Sequence, residues 1–355
     1  MLSLYKLLTI TILWLSMAAC HSSTQTDENA SLQGAPRKLS KIKETALPEV
    51  VSLKSLKKTM FTPTLESLVD EEKNAIYVPT LLFAWNKIEE LLKSEIVISE
   101  SNSQDLQLIT QSKSHEQSLN PDEYKIEVDT KVDAIVARAF FHKSLPFKIE
   151  FHALQEPIVF GKTKVAAFGL DWQDFDVIEA TQILYYKDDA HLVLKLLPRH
   201  NQHEIILALG LDKFKSLKDA LGLLNENIEK GKKEKTEPKQ AWKYALNEED
   251  RFAIPIIKFH IDTKYKTLEG QQFFTKDGRP HIVHEAYQRT GFVLDQNGAV
   301  LESEDYTSVD SLGAELPHPK KMIYNKPFLI VLKRVDKTNP YFVMSVNNTE
   351  LMVRK

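Results

Sequence analysis

Eleven histidines and one cysteine are the side chains of this 355-residue chain best suited to metal or nucleophile chemistry, and their spacing supports little of it. His281 and His284 stand three apart in a segment of strand-like composition. Strand side chains alternate faces, so that separation sends the two imidazoles to opposite sides and denies them a shared metal. His200 and His203 are also three apart, near an expected helix start, and read as a surface pair rather than as ligands. No Gly-x-Ser-x-Gly elbow, His-Glu-x-x-His pair or phosphate-cradling glycine loop occurs, and 11 glycines are few for a nucleotide-binding enzyme. Trp85, Trp172 and Trp242 read as core or partly buried residues rather than a carbohydrate platform. The expectation is a chain with no metal, no cofactor and no catalytic centre. What remains is chemistry done to the chain by others: acylation of the lone thiol, Cys20, and attack on an exposed peptide bond.

Cys20 sits where acylation is expected. Lys6 precedes an apolar run over 7–17, and Ala18-Ala19-Cys20 follows. This is a charged start, a short hydrophobic segment and small residues at a cleavage site, and the run is too short to span a bilayer. The pattern resembles a bacterial lipobox, departing from it at Met17, where leucine is usual. The resemblance implies a signal peptide over 1–19 and a lipidated Cys20 as the first residue of the mature chain. Several acyl chains anchor stably, at about 0.8 kcal/mol per buried methylene. His21 in place of aspartate implies an outer-membrane address. An ordinary signal peptide followed by a free cysteine is the alternative. Residues 20–45 are polar and aperiodic and read as a tether, leaving 46–355 as a single domain. With one cysteine there is no intramolecular disulfide, so the core alone must hold the fold, and 43% hydrophobic content suffices for that. A net charge of −3 without a basic stripe excludes nucleic acid as a partner, and a monomer is expected.

The elements follow from periodicity. Residues 77–93 carry Leu81, Leu82, Trp85, Ile88, Leu91 and Leu92 at helical spacing, with Pro79 in the first turn. A helical turn is expected at 64–69, and mostly loop over 99–122. Strands are expected at 132–141, 177–186, 191–197, 252–261 and 281–294, with a hairpin turn at Lys187-Asp188-Asp189. Helices are expected at 203–210 and 217–228, and a solvated charged loop at 230–239. The last two runs, 328–332 and 341–346, flank Asp336-Lys337-Thr338-Asn339-Pro340 and read as a hairpin. Its first strand is almost continuously apolar, as suits burial on both faces. Strands dominate the second half and helices the first, which makes the class α+β.

Several short motifs share an order. Asn74-x-Ile76-Tyr77-x-Pro79 precedes the first helix and Ala84. Ala139-Phe140-Phe141-x-Lys143 leads to Pro146-Phe147 and Phe160. Tyr185 to Asp189 is followed by His191 to Pro198, then by Ile254-Pro255-x-x-Lys258-Phe259. His281 to Ala286 leads to Val293 and Gly298, and Asn325-Lys326-Pro327-Phe328 to Pro340-x-Phe342-x-Met344 with Val346 and Asn347. Over 74–355 this order resembles that of the serpins. The chain departs at Val78, where serine is usual, and lacks the Asn and Trp of the second block, and its front is short. The resemblance implies a large central β-sheet, smaller sheets with a β-barrel-like core, and helices mainly from the N-terminal half.

It also implies an exposed loop over 299–324 that a serine or cysteine protease cuts and that then inserts as a new strand. The hinge would run through Gly298, Ala299, Val300, Leu301, Glu302, Ser303, Glu304 and Asp305. Counting from Gly298 puts the cut between Leu312 and Gly313. Counting back from Asn325 puts it between Leu316 and Pro317, and Lys320 and Lys321 are trypsin-like alternatives. On insertion Ala299, Leu301, Ser303, Asp305, Thr307 and Val309 would face inward, with Glu302 and Glu304 outward. Burying the Asp305 carboxylate unpaired costs several kcal/mol and slows that step. Two functions stay open: a lipid-anchored protease inhibitor or bait, and a non-inhibitory binding or structural lipoprotein on the same scaffold.

Overall fold

The chain's computed structural model describes residues 46–131, 134–170, 175–299 and 319–355. Cys20, Trp172, Val300 to Asp305, Leu312, Gly313, Leu316 and Pro317 lie outside the described residues. The class is α+β. Its largest sheet has seven strands in the order β12 (Thr181–Asp188), β13 (His191–Leu196), β14 (His203–Leu209), β22 (Phe328–Arg334), β23 (Phe342–Val346), β3 (Asn74–Tyr77) and β2 (Thr59–Phe61). The C-terminal hairpin therefore lies at mid-sheet, where Phe328 to Leu332 and all of β23 are buried. β14 corrects the helix expected at 203–210. It lies between β13 and β22 with both faces covered, so its residues are apolar without alternation, and a short run of that kind does not separate strand from helix.

One face of the sheet carries α4 (Leu217–Lys235), opened by a reciprocal cap between Ser216 and Asp219. α4 takes in the charged stretch expected to be loop as far as Lys235, and 236–239 are turn. Lysines in its last turn favour the negative end of the helix dipole, and Lys232 pairs with Glu229. Gly231 allows the approach: a Cβ there would lie 1.9 Å from the Leu184 carbonyl oxygen of β12. The other face meets a three-stranded sheet of β1 (Val51–Ser52), β16 (Ile257–Lys264) and β19 (Tyr287–Leu294). Here Phe292 stacks on Phe342 at 4.4 Å between ring centroids.

Two expected strands are divided. The 281–294 segment becomes β18 (Pro280–Ile282) and β19. β18 belongs instead to a small sheet with β17 (Gln272–Thr275) and β4 (Ile96–Val97). The 252–261 segment becomes β15 (Arg251–Pro255) and β16, in different sheets. β15 sits between β21 (Lys321–Ile323) and β11 (Ala167–Leu170), with β8 (His152–Ala153) outermost. A further hairpin pairs β9 (Ile158–Phe160) with β10 (Thr163–Val165). The expected helix at 77–93 is α1 (Thr80–Leu92), entered from β3 through Pro79. Residues 99–122 contain α2 (Gln104–Gln111), capped by Ser103, in place of continuous loop. The expected strand at 177–186 begins with α3 (Phe175–Glu179), and 64–69 is a turn without a helix.

A last hairpin pairs β5 (Lys125–Lys131) with β6 (Ala134–Phe140). A buried ionic cluster fastens its base to the seven-stranded sheet. Glu123, just before β5, accepts from Lys143 at 2.5 Å and from Arg334 of β22 at 2.9 Å, with His203 Nε2 at 3.5 Å. His203 Nδ1 takes the Tyr341 hydroxyl at 3.2 Å. Burial and the Lys143 charge push the His203 imidazole down to about 4, against the pull of Glu123, so the ring is neutral. Burial pushes the Glu123 carboxyl up, but Lys143, the Asn120 amide and Arg334 together bring it below the usual range.

Both shifts make the fold weaker in acid. The unfolded chain takes up a proton on histidine below about pH 6.5, whereas the folded His203 resists one until about 4. The stability this supplies is full above 6.5 and lost as pH falls towards 4, by about 3 kcal/mol at most. The Glu123 contribution is lost below the ordinary carboxylate range. Thermal unfolding followed from pH 7 to 4 is expected to show a falling Tm, with the slope between 6.5 and 4 reduced in His203→Gln. An unchanged slope would place the acid sensitivity elsewhere.

Candidate functional site

Strand edges that have no partner are costly unless something covers or uses them. Among the described residues β6 pairs only with β5, and β19 only with β16, so each keeps an open edge. Helix α1 packs against both strands. On one side Phe83 of α1 stacks on Tyr124 at 4.1 Å, next to β5. On the other, Gln288 of β19 donates to Thr80 Oγ1 at 2.8 Å and accepts from the Tyr265 hydroxyl at 2.5 Å. The β5–β6 hairpin is thinly covered: Phe140 is 48% exposed, and Val128 is exposed as well. β6 and β19 thus bring two unpaired strand edges to one helix, α1, and the stretch of α1 between them is called the slot.

One end of the slot is closed by backbone. β7 (Leu145–Pro146), soon after β6, pairs with β20 (Gly298–Ala299), soon after β19. The turn between β19 and β20 is set by Asp295. Its carboxylate accepts the Asn297 amide at 3.0 Å and meets Lys258 at 3.4 Å, and its carbonyl accepts the Gly298 amide at 3.2 Å. The Phe147 amide donates to Asn297 at 3.1 Å. Gly298 has φ +112°, which side chains rarely allow, and a Cβ would lie 2.3 Å from the Phe147 nitrogen and 2.5 Å from the Pro146 Cα. Only glycine lets the two chains approach here.

Of the expected hinge, Gly298 and Ala299 fall within the described residues and lie at the closed end of the slot. The far side of the loop re-enters at Pro319, and Lys320 corrects an expectation. As a trypsin-like cleavage alternative it would need exposure, but it is 1% exposed. Its ammonium contacts Asp250 Oδ2 at 2.9 Å and the Ala245 carbonyl at 2.8 Å. The rings of Trp242 and Tyr186 lie 5.6 and 5.9 Å from its nitrogen. Lys321 keeps an exposed side chain but belongs to β21. Sequence reading missed Gln288, Asp295, Asp250 and Glu123, since each also acts through a partner remote in the chain. The Asp-x-x-Gly spacing of 295–298 was the one local signal available. Among the described residues no three His, Cys, Asp or Glu side chains gather as metal ligands.

No family model matches the chain, and no curated protein matches it. Among solved structures, Serpin48 of the insect Tenebrio molitor, described as a highly specific serpin, is similar at 14% identity and a TM-score of 0.35. That match covers 74% of this chain and 65% of the other. The mouse protein-Z dependent protease inhibitor is similar at 12% identity and a TM-score of 0.40, over 62% of this chain and 56% of the other. The chain therefore spans less than two thirds of the length of either.

Gly298→Val is expected to break the β7–β20 pairing. Backbone amides of Leu145 and Phe147 should then exchange hydrogen at least about tenfold faster than in wild type, with the seven-stranded sheet still protected. Equal exchange would mean that the closed end does not depend on this glycine.

Proposed function

We propose that the chain is a protease-directed, serpin-like protein, and not an enzyme, whose loop between β20 and β21 is bait for a serine or cysteine protease. The supporting observation is the slot. Two open strand edges share a helix, and the loop leaves from β20, which follows one of those strands after a short turn. An extended segment in the slot would pair with both edges and cover the exposed apolar hairpin. Cutting the loop would free its proximal part to turn at Gly298 and enter. A protease held on that part as an acyl-enzyme would be carried along before water releases it.

Insertion races deacylation, so its rate decides between inhibitor and substrate. Asp305 is the brake in this reading, because alternation turns its carboxylate inward. The lipid on Cys20 and an outer-membrane location belong to the same proposal: they would hold the bait at the cell envelope. The second reading, a non-inhibitory lipoprotein, is favoured by the same Asp305, which slows the trap.

Limited proteolysis with an elastase-like enzyme, with the site mapped and Tm measured before and after, tests the central claim. A cut between Asp305 and Lys321 with a large rise in Tm is expected, and Asp305→Ala should raise the ratio of covalent complex to cleaved product. A cut with unchanged Tm would remove the insertion step and leave the binding reading. For the anchor, cells grown with labelled palmitate should label the wild-type chain and leave Cys20→Ala unlabelled. Label on both would remove Cys20 as the site.

A further inference from the structure

α4 covers only part of the sheet face on which it lies. Beside it runs a trough of about 850 Å3. One wall is α4 itself, where Lys218, Leu221, Asn225, Ile228 and Lys232 all line the opening. They recur at alternating steps of three and four, the spacing of a coiled-coil seam, along about 21 Å of helix. Leu221 and Ile228 are only half-buried. A cross-strand row of Lys195 on β13, Ile206 on β14 and Val331 on β22 lines the sheet side.

Gly222 marks the seam as unfilled. Glycine is poor in a helix interior, and Gly231 of the same helix has a reason, its close contact with Leu184. Gly222 also lines the trough, yet a Cβ there would meet nothing within 4 Å. A small residue at this place lets another helix axis come close.

Backbone and charge set the class of occupant. β13, β14 and β22 are each paired on both sides, so the trough offers no free edge to an extended strand. A helix satisfies its own backbone and needs only a complementary face. Five lysines line the trough against three glutamates, so the complement is acidic. Lys218 and Lys232 keep 66% of their side chains exposed although Glu66 and Glu229 pair with them. Lys333 makes no ion pair among the described residues. A second copy fits poorly. Antiparallel pairing of two α4 helices about Asn225 sets Lys218 against Lys232, and parallel pairing sets each lysine against its own copy.

We propose that the trough is a docking site for an amphipathic helix of a partner protein, with an apolar seam flanked by Asp or Glu. Val331 and its partner Val343 point away from the face on which Phe342 meets Phe292, so the site is separate from the slot and independent of the insertion reading.

The test uses the full chain and a stapled helical peptide of about 14 residues, with leucines at the seam positions and glutamates beside them. A twin peptide carries lysines in place of the glutamates, and binding is followed by fluorescence anisotropy. The acidic peptide is expected to saturate wild type and to bind at least about tenfold tighter than the twin, with affinity falling as salt rises. Gly222→Leu puts a better helix former into open space and should leave Tm no lower, while weakening the acidic peptide at least about tenfold. Lys333→Glu should weaken the acidic peptide and not the twin. No saturation by the acidic peptide up to about 1 mM, or wild-type affinity in both variants, would overturn the proposal. A wild-type dimer in sedimentation that Gly222→Leu abolishes would overturn it in favour of a second copy. Gly222-dependent binding of oleate, with none of the peptide, would overturn it in favour of a small amphiphile.

Discussion

A strand apolar on both faces must be covered on both, and β22 imposes that demand on the rest of the molecule. Its run from Phe328 to Leu332 is buried, flanked by β14 and β23 in the plane of the sheet. α4 covers one face of that sheet, and the sheet containing β16 and β19 covers the other through contacts such as Phe292 on Phe342. The strand ends at Arg334, whose guanidinium reaches Glu123 and so gathers the base of the β5–β6 hairpin. The central strand thus determines where both layers lie and where the hairpin is attached.

Around that packed centre, the slot is a region in which backbone pairing is incomplete. β6 and β19 keep open edges over α1, and Phe140 keeps half its surface in water. Folded chains seldom leave such edges without a use, since an open edge is a template for another strand. The closed end is held by short backbone pairing that only glycine permits at 298. The opposite anchor of the loop is held by a buried ion pair.

Buried charge recurs at the junctions between layers. Glu123 with Lys143 and Arg334 joins hairpin to sheet, Lys258 with Asp295 borders the turn before Gly298, and Lys320 with Asp250 lies at the start of β21. Desolvation offsets much of the attraction in such pairs, so their partners' positions matter more than their number. The apolar residues hold the layers together, and the ion pairs decide how the layers meet.

The sequence alone carried the C-terminal hairpin, α1 with Pro79 at its start, the β12–β13 hairpin and the α+β class. Each rests on local information: a periodicity or a turn sequence. Tertiary structure decided what periodicity leaves ambiguous. β14 reads as a helix until both its faces are covered, and the 230–239 charge run stays helical to Lys235 because Gly231 seats α4 on Leu184. The 252–261 and 281–294 runs divide only because their halves join different sheets. Lys320 reads as an exposed basic residue until Asp250, Tyr186 and Trp242 surround it. In each case the deciding partner is distant in the chain, and local sequence carries no term for an interaction that exists only once the chain has folded.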